Sequence, residues 1–361
     1  MLKAEAEHFV KSLKAFAVNN VASTEWIQQM IKIEQLNVRA HQQASGNQFE
    51  EIVDLIKTYE MFGTLVHELI ASDMYLSQAL PKIKPKLSQT AFVRLFIIER
   101  SMTTLLNLIE LVVFKPETLD SEHLIPLVDF CVMKVVALLS LDLKALTVEE
   151  PSEALKTAFS IGFSSLSILW CISCACSDEA FPISVTKRLV SENDVIPTLA
   201  ELIVKQPWKT VKAGKIIKWS DSGLSTLPPA EALRVCKPEA HAWTALQQLL
   251  EPRSQSLATW NESKRQALLQ IEGMLSEVLI DQLPPLEGLK RTLQMLRVSE
   301  FPQPKFTPVL EIVPQMTEEF SQKFDWDDIA KKSLRHYEPS TNKQFQKEMM
   351  EISEFLSIFA E

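Results

Sequence analysis

The sequence predicts an all-α protein, a curved array of antiparallel helical hairpins, irregular in the manner of armadillo or HEAT solenoids. Three observations predict it. Apolar residues recur at three- and four-residue spacing through most of the 361 residues, the period of a helix with one covered face. Glycine is scarce, at seven, which argues against Gly-rich nucleotide loops and a many-turned β architecture. The 19 prolines fall mostly between the apolar-periodic stretches, where they end helices. Hydrophobic residues make up 46%, enough to bury a sizeable core.

The first helix carries Ala6, Phe9, Val10, Leu13, Phe16 and Ala17 on one stripe and closes at Asn19-Asn20. Ser23 or Thr24 caps the second, whose stripe is Trp26, Met30, Ile33, Asn37 and Ala40. Ser45-Gly46-Asn47 breaks it, and a third helix runs from Phe49 to about Tyr59. A fourth begins at Gly63-Thr64 and is expected to stop at Pro81. A long apolar helix follows from Ala91 to Phe114, ended by Pro116. Further helices are expected at about 122–146, 152–177, 184–205, 228–250, 255–282, 285–298 and 315–336. Short connections make consecutive helices antiparallel neighbours, and no strict repeat period appears.

Residues 157–177 carry no charge and are long enough to span a bilayer. Six serines and Gly162 lower the hydropathy of that stretch, so a central helix buried on all sides is expected and no membrane span. Residues 1–336 read as one continuous helical array. Residues 337–361 read as a C-terminal amphipathic helix with Phe345, Met349, Ile352, Leu356 and Phe359 at alternating four- and three-residue steps. That helix is either the closing cap of the array or a helix that docks to, or leads into, a further element.

One segment departs from the helical rhythm. Across residues 207–219, β-branched residues flank Ala213-Gly214, which predicts a small β-hairpin inserted in the array. Lys205, Lys209, Lys212, Lys215 and Lys218 make it the one basic island of the chain. It reads as a docking surface, tryptophans anchoring and lysines steering an acidic partner. Ahead of that stands a solvated hairpin whose tryptophans pack on the helices beneath. The candidate partner-binding residues are Trp208, Lys209, Lys212, Lys215 and Trp219.

Other chemistry is poorly served. A net charge of −9 suits neither phosphate-backbone tracking nor nucleic acid as partner. Five cysteines without a secretory signal fit a reducing cytosol. Cys171, Cys174 and Cys176 lie among apolar neighbours, so core positions are expected rather than zinc ligation. His67-Glu68 lacks the second histidine of a helical zinc motif, and Gly214-Lys215 lacks the remaining residues of a phosphate loop. Asp325, Asp327 and Asp328 lack the glycine of a calcium loop. No nucleophile or acid–base constellation stands out, and neither enzyme activity nor a cofactor in this chain is expected.

An ordered run of local strings resembles one family. The strings are Glu5-Ala6-Glu7, Trp26-Ile27-Gln28-Gln29, Leu36-Asn37, the stretch from Thr64 to Ala71, Leu127-Val128-Asp129-Phe130-Cys131 and Pro207-Trp208. The run continues with Gly214-Lys215, the stretch from Leu279 to Pro284, and Trp326 with Ile329-Ala330-Lys331. Together they resemble the MYND-type zinc-finger family that assists cytoplasmic assembly of axonemal dynein arms. The resemblance implies a cytoplasmic adaptor in motile-ciliated cells. Its partners would be a leucine-rich-repeat assembly factor, Hsp90-type chaperones with their co-chaperones, and dynein heavy and intermediate chains. The family's C-terminal helix leads into a MYND finger, whereas this sequence ends at Glu361, so zinc is expected only in that finger. A helical scaffold of trafficking or the cytoskeleton is the alternative, favoured by expression outside motile-ciliated cells.

Overall fold

The computed structural model describes residues 3–46, 50–87, 91–148, 151–220, 223–228, 231–298, 314–337 and 350. The helices in chain order begin with α1 (Lys3–Lys11), α2 (Thr24–Ser45), α3 (Glu51–Thr58), α4 (Phe62–Met74), α5 (Leu80–Ile83) and α6 (Phe92–Val112). They continue with α7 (Ser121–Leu138), α8 (Glu153–Ala175), α9 (Ile183–Lys187) and α10 (Val195–Lys205). Three strands follow: β1 (Lys209–Lys212), β2 (Lys215–Ser220) and β3 (Gly223–Leu227). The chain then forms α11 (Lys237–Leu249), α12 (Pro252–Leu257), α13 (Glu262–Glu272), α14 (Glu277–Gln282), α15 (Leu286–Val298), α16 (Gln315–Phe320) and α17 (Trp326–Tyr337). The fold class is all-α with one small sheet among the described residues. Two compact units share the chain: Met1–Val112 with Gln315–Glu361, and Val113–Pro314.

In the first unit, α2 shows how sequence becomes packing. The Ser23 hydroxyl accepts from the Trp26 amide at 3.2 Å, satisfying one of the orphan donors of the first turn. Trp26, Met30, Ile33, Asn37 and Ala40, the expected stripe, are all buried. The expected stop at Pro81 does not occur. The chain after α4 widens into a π turn over Tyr75–Ala79 and resumes as α5. Pro81 then falls in the opening turn of α5, where its missing N–H deprives no helix of a bond. Helices α16 and α17 close onto this unit. The Tyr337 hydroxyl lies 3.1 Å from that of Tyr75, the Arg94 guanidinium donates to the His336 carbonyl, and Lys82 pairs with Asp327. Phe345, Met349, Ile352, Leu356 and Phe359 lie outside the described residues.

In the second unit, α7 packs along α8, and α8 also packs against α11. Helix α8 is long and apolar enough to cross a membrane by length and composition, with 61% of its most apolar window buried within the fold. Gly162 permits the approach of α7. A Cβ there would sit 3.0 Å from Leu138 Cδ1 and 3.2 Å from Leu138 Cβ. Alanine gains about 1 kcal/mol of helix propensity over glycine, but crowding a packed seam costs about 1–3 kcal/mol. Gly162→Ala is therefore expected to lower stability by about 1 kcal/mol in a urea titration. A stabilised variant would mean that α7 yields without cost.

Three expected helices in this unit are broken by local signals stronger than their apolar period. The helix expected over 184–205 becomes α9, a π turn at Arg188–Glu192 and α10, interrupted where Asp194 takes a left-handed conformation at φ 44°. The one expected over 228–250 begins only at Lys237, with Pro238 in the first turn and Glu239 reaching back to the Cys236 amide. The stretch 255–282 divides into α12, α13 and α14. Asn261 and Ser276 start the last two by accepting from the amides of Lys264 and Leu279.

Candidate functional site

The basic island builds the sheet, in the order β1-β2-β3, antiparallel throughout. Ala213 (φ 49°) and Gly214 (φ 74°) form the two-residue turn between β1 and β2. Two left-handed residues in succession match the right-handed twist of the flanking strands, as in a type I′ turn. The hairpin is as the sequence predicts. Strand β3 was not expected, since Gly223-Leu224-Ser225-Thr226-Leu227 holds a single β-branched residue.

The register distributes the lysines over both faces. Lys209 lies opposite Lys218, and Lys212 opposite Lys215. Antiparallel partners share a face and side chains alternate along a strand. Lys212, Lys215 and Trp219 therefore lie on one face, and Lys209 and Lys218 on the other. Like charges directly opposite repel, so each pair needs an outlet. Lys218 finds one inside: it is 4% exposed and donates to the Arg234 carbonyl at 2.7 Å and to Glu239 Oε2 at 3.2 Å. The Lys212 ammonium donates to the Thr147 carbonyl, just before the exposed Val148. Lys205 lies off the sheet on α10, paired with Glu201 at 2.7 Å. Lys209 and Lys215 have no ion pair among the described residues.

The two tryptophans stand apart from the surface role. Trp208 is wholly buried, and its indole N–H has no hydrogen-bond partner among the described residues. It belongs to the core and cannot anchor a partner from the surface. Trp219 is half-buried against α8, with ring centroids 6.0 Å from Phe159 and 5.0 Å from Phe163. Such offset and tilted pairs add about 0.5–1.5 kcal/mol beyond area burial. Trp219 thus fixes the sheet on α8, leaving the turn from Val211 to Lys215 exposed. Val211, absent from the candidate residues, is 56% exposed. Its signal was the alternation itself: a β-branched residue between Lys209-Thr210 and Lys212 must face away from Thr210, which is buried.

Metal-ligating chemistry is absent among the described residues, where no three His, Cys, Asp or Glu donors converge. Cys171 and Cys176 are buried, whereas Cys174 is exposed. Burial pushes the Cys176 thiol up to about 12, the opposite of a metal-ready thiolate. His241 lies flat on Trp170, with centroids 4.3 Å apart. Burial, aided by Lys237, depresses its pKa to about 3 and keeps the imidazole neutral. These donors do not fit a zinc site, and no chemistry here is routed through one.

The chain is 27% identical over 331 residues to the Zinc finger MYND domain-containing protein 10 homolog of Drosophila melanogaster, covering 86% of this chain and 72% of that relative. No family model matches, and no solved structure matches. The MYND-type resemblance carried by the ordered strings thus extends through the helical units.

Proposed function

We propose that this chain, a relative of the MYND-type zinc-finger proteins, is a cytoplasmic adaptor for the preassembly of axonemal dynein arms. It would work by holding a leucine-rich-repeat assembly factor, Hsp90-type chaperones and their co-chaperones, and dynein heavy and intermediate chains. The observation that supports it is the extent of the similarity, 86% of this chain. A likeness over that much of the chain concerns a whole scaffold and not an isolated finger. The exposed turn of the β1–β2 hairpin suits an adaptor. It offers Lys212 and Lys215 on one face of the hairpin and Val211 with Lys209 on the reverse face, in a chain that is otherwise acidic.

Mass spectrometry of the proteins that co-purify with this 361-residue chain from ciliating cells tests the reading. Recovery of dynein arm chains together with chaperones is the expected result. If neither this chain nor a version carrying a MYND finger recovers them, the adaptor reading falls. Reversing Lys209, Lys212 and Lys215 to glutamate is expected to reduce recovery of at least one partner by about tenfold. Thermal stability should fall by no more than the Lys212 bond to the Thr147 carbonyl contributes, about 1 kcal/mol, since Lys209 and Lys215 support no ion pair among the described residues. Unchanged recovery would remove these lysines from the contact.

A further inference from the structure

Among the described residues, the sheet protects one of its edges and leaves the other open. Strand β1 carries two lysines and packs beside the turn Leu143–Thr147, tied to it by the bond from Lys212 to the Thr147 carbonyl. Charge and cover are the usual ways in which proteins blunt an edge strand. Strand β3 has neither. It holds no charged residue, and no helix packs along it among the described residues.

The register shows what that edge presents. Trp219 donates its backbone N–H to the Trp208 carbonyl, at 2.9 Å, so residue 219 directs its main chain toward β1. Backbone direction alternates along a central strand. Ser220, Lys218 and Ile216 therefore direct theirs toward β3 and bond their partners Gly223, Ser225 and Leu227. Leu224 and Thr226 are left with N–H and C=O groups pointing away from the sheet. Their amides and carbonyls make no other backbone bond among the described residues.

We propose that β3 receives an extended acidic segment of a partner protein as a fourth strand, bonded through the main chains of Leu224 and Thr226. Backbone pairing supplies sequence-tolerant affinity at such an edge, and neighbouring side chains supply selection. Here the selecting charge is positive. The three strands contain no acidic residue, and of their four lysines Lys218 is buried against Glu239, so Lys209, Lys212 and Lys215 supply the charge. A segment rich in Asp and Glu meets a favourable field there, whereas a basic one is repelled. The proposal rests on the adaptor reading and deepens it by naming how a client is held.

The test uses the full chain and two synthetic peptides of about eight residues, a usual strand length. One alternates Glu with Val and the other Lys with Val. The acidic peptide is expected to bind, to weaken at least about tenfold between ~50 and ~500 mM salt, and to slow hydrogen exchange at the Leu224 and Thr226 amides. The basic peptide should not bind. Thr226→Pro removes one outward N–H, leaves the β2–β3 ladder intact, and is tolerated at an edge. It should abolish binding without lowering the melting temperature. If that variant fails to fold, exchange protection in the natural chain still decides. No binding, equal binding of both peptides, or protection at amides other than these overturns the proposal. If dynein chains co-purify with the chain while these peptides fail, the adaptor reading stands and the edge mechanism falls.

Discussion

Replacing Glu68 by alanine is expected to lower the stability of the first unit by about 4 kcal/mol, close to the whole margin of many domains. Glu68 is completely buried in α4. Its Oε1 accepts from the Phe16 amide at 2.6 Å, and its Oε2 accepts from the Trp26 indole N–H at 2.9 Å. His67 stands 3.5 Å away on one side and reaches Glu319 of α16 at 3.2 Å on the other. One carboxylate therefore joins the non-helical chain after α1, the head of α2, and α4. Removing it leaves two buried donors unpaired, each costing about 1–3 kcal/mol. The neighbouring imidazole loses a partner as well. Burial works against its charge, but the bonds to Glu68 and Glu319 prevail and raise its pKa above the ordinary histidine value.

A urea titration followed by far-UV circular dichroism measures the loss. Glu68→Gln keeps the shape and one acceptor but aims an NH2 group at the second donor, so about half the cost should remain. Should Glu68→Ala fall within about 1 kcal/mol of the natural chain, the carboxylate is not the junction described.

Glu68 also illustrates where sequence reading stops. Its helix was legible, and the pair His67-Glu68 was weighed as metal chemistry and set aside. The telling signal lay in the helical pattern. Glu68 follows Leu65 by three residues and precedes Ala71 by three, on the buried face of the helix. A charge on that face must find partners inside, and nothing local names them, because Phe16 and Trp26 lie 52 and 42 residues away. The same holds for Glu34 in α2, which is 2% exposed and receives the Thr104 hydroxyl from α6.

Local geometry fared better. The cap at Ser23, the stripe of α2 and the Ala213-Gly214 turn are all set within a few residues of chain, and all are found. The candidate site was half legible for the same reason. Alternating lysines marked the hairpin, but strand pairing alone determines which lysines share a face. Trp208 reads from sequence either as a surface anchor or as packed on the helices beneath, and tertiary packing encloses it. Pro81 misled in the other direction: a π turn upstream, which no residue type announces, moved it to a tolerated position.

Phe159→Ala carries the second large effect, about 3–5 kcal/mol lost from the second unit. Phe159 is fully buried in α8, 5.9 Å from Phe163 and 6.0 Å from Trp219 between ring centroids. The deletion opens a cavity under the sheet, and the loss should exceed that of Trp219→Ala, whose ring is half-buried. The two rings are in contact, so the double variant should lose less than the sum of the single ones, by about 0.5–1.5 kcal/mol. Hydrogen exchange separates core damage from loss of the sheet's footing. In Phe159→Ala the amides of β1 and β2 should exchange faster than those of α13, which belongs to the same unit but does not support the sheet. Uniform acceleration across the unit would mean that Phe159 serves only the core. Selective acceleration would mean that the aromatic stack on α8 sets how firmly the lysine-bearing hairpin is held, so that a core residue with no surface of its own governs the presentation of Lys212 and Lys215.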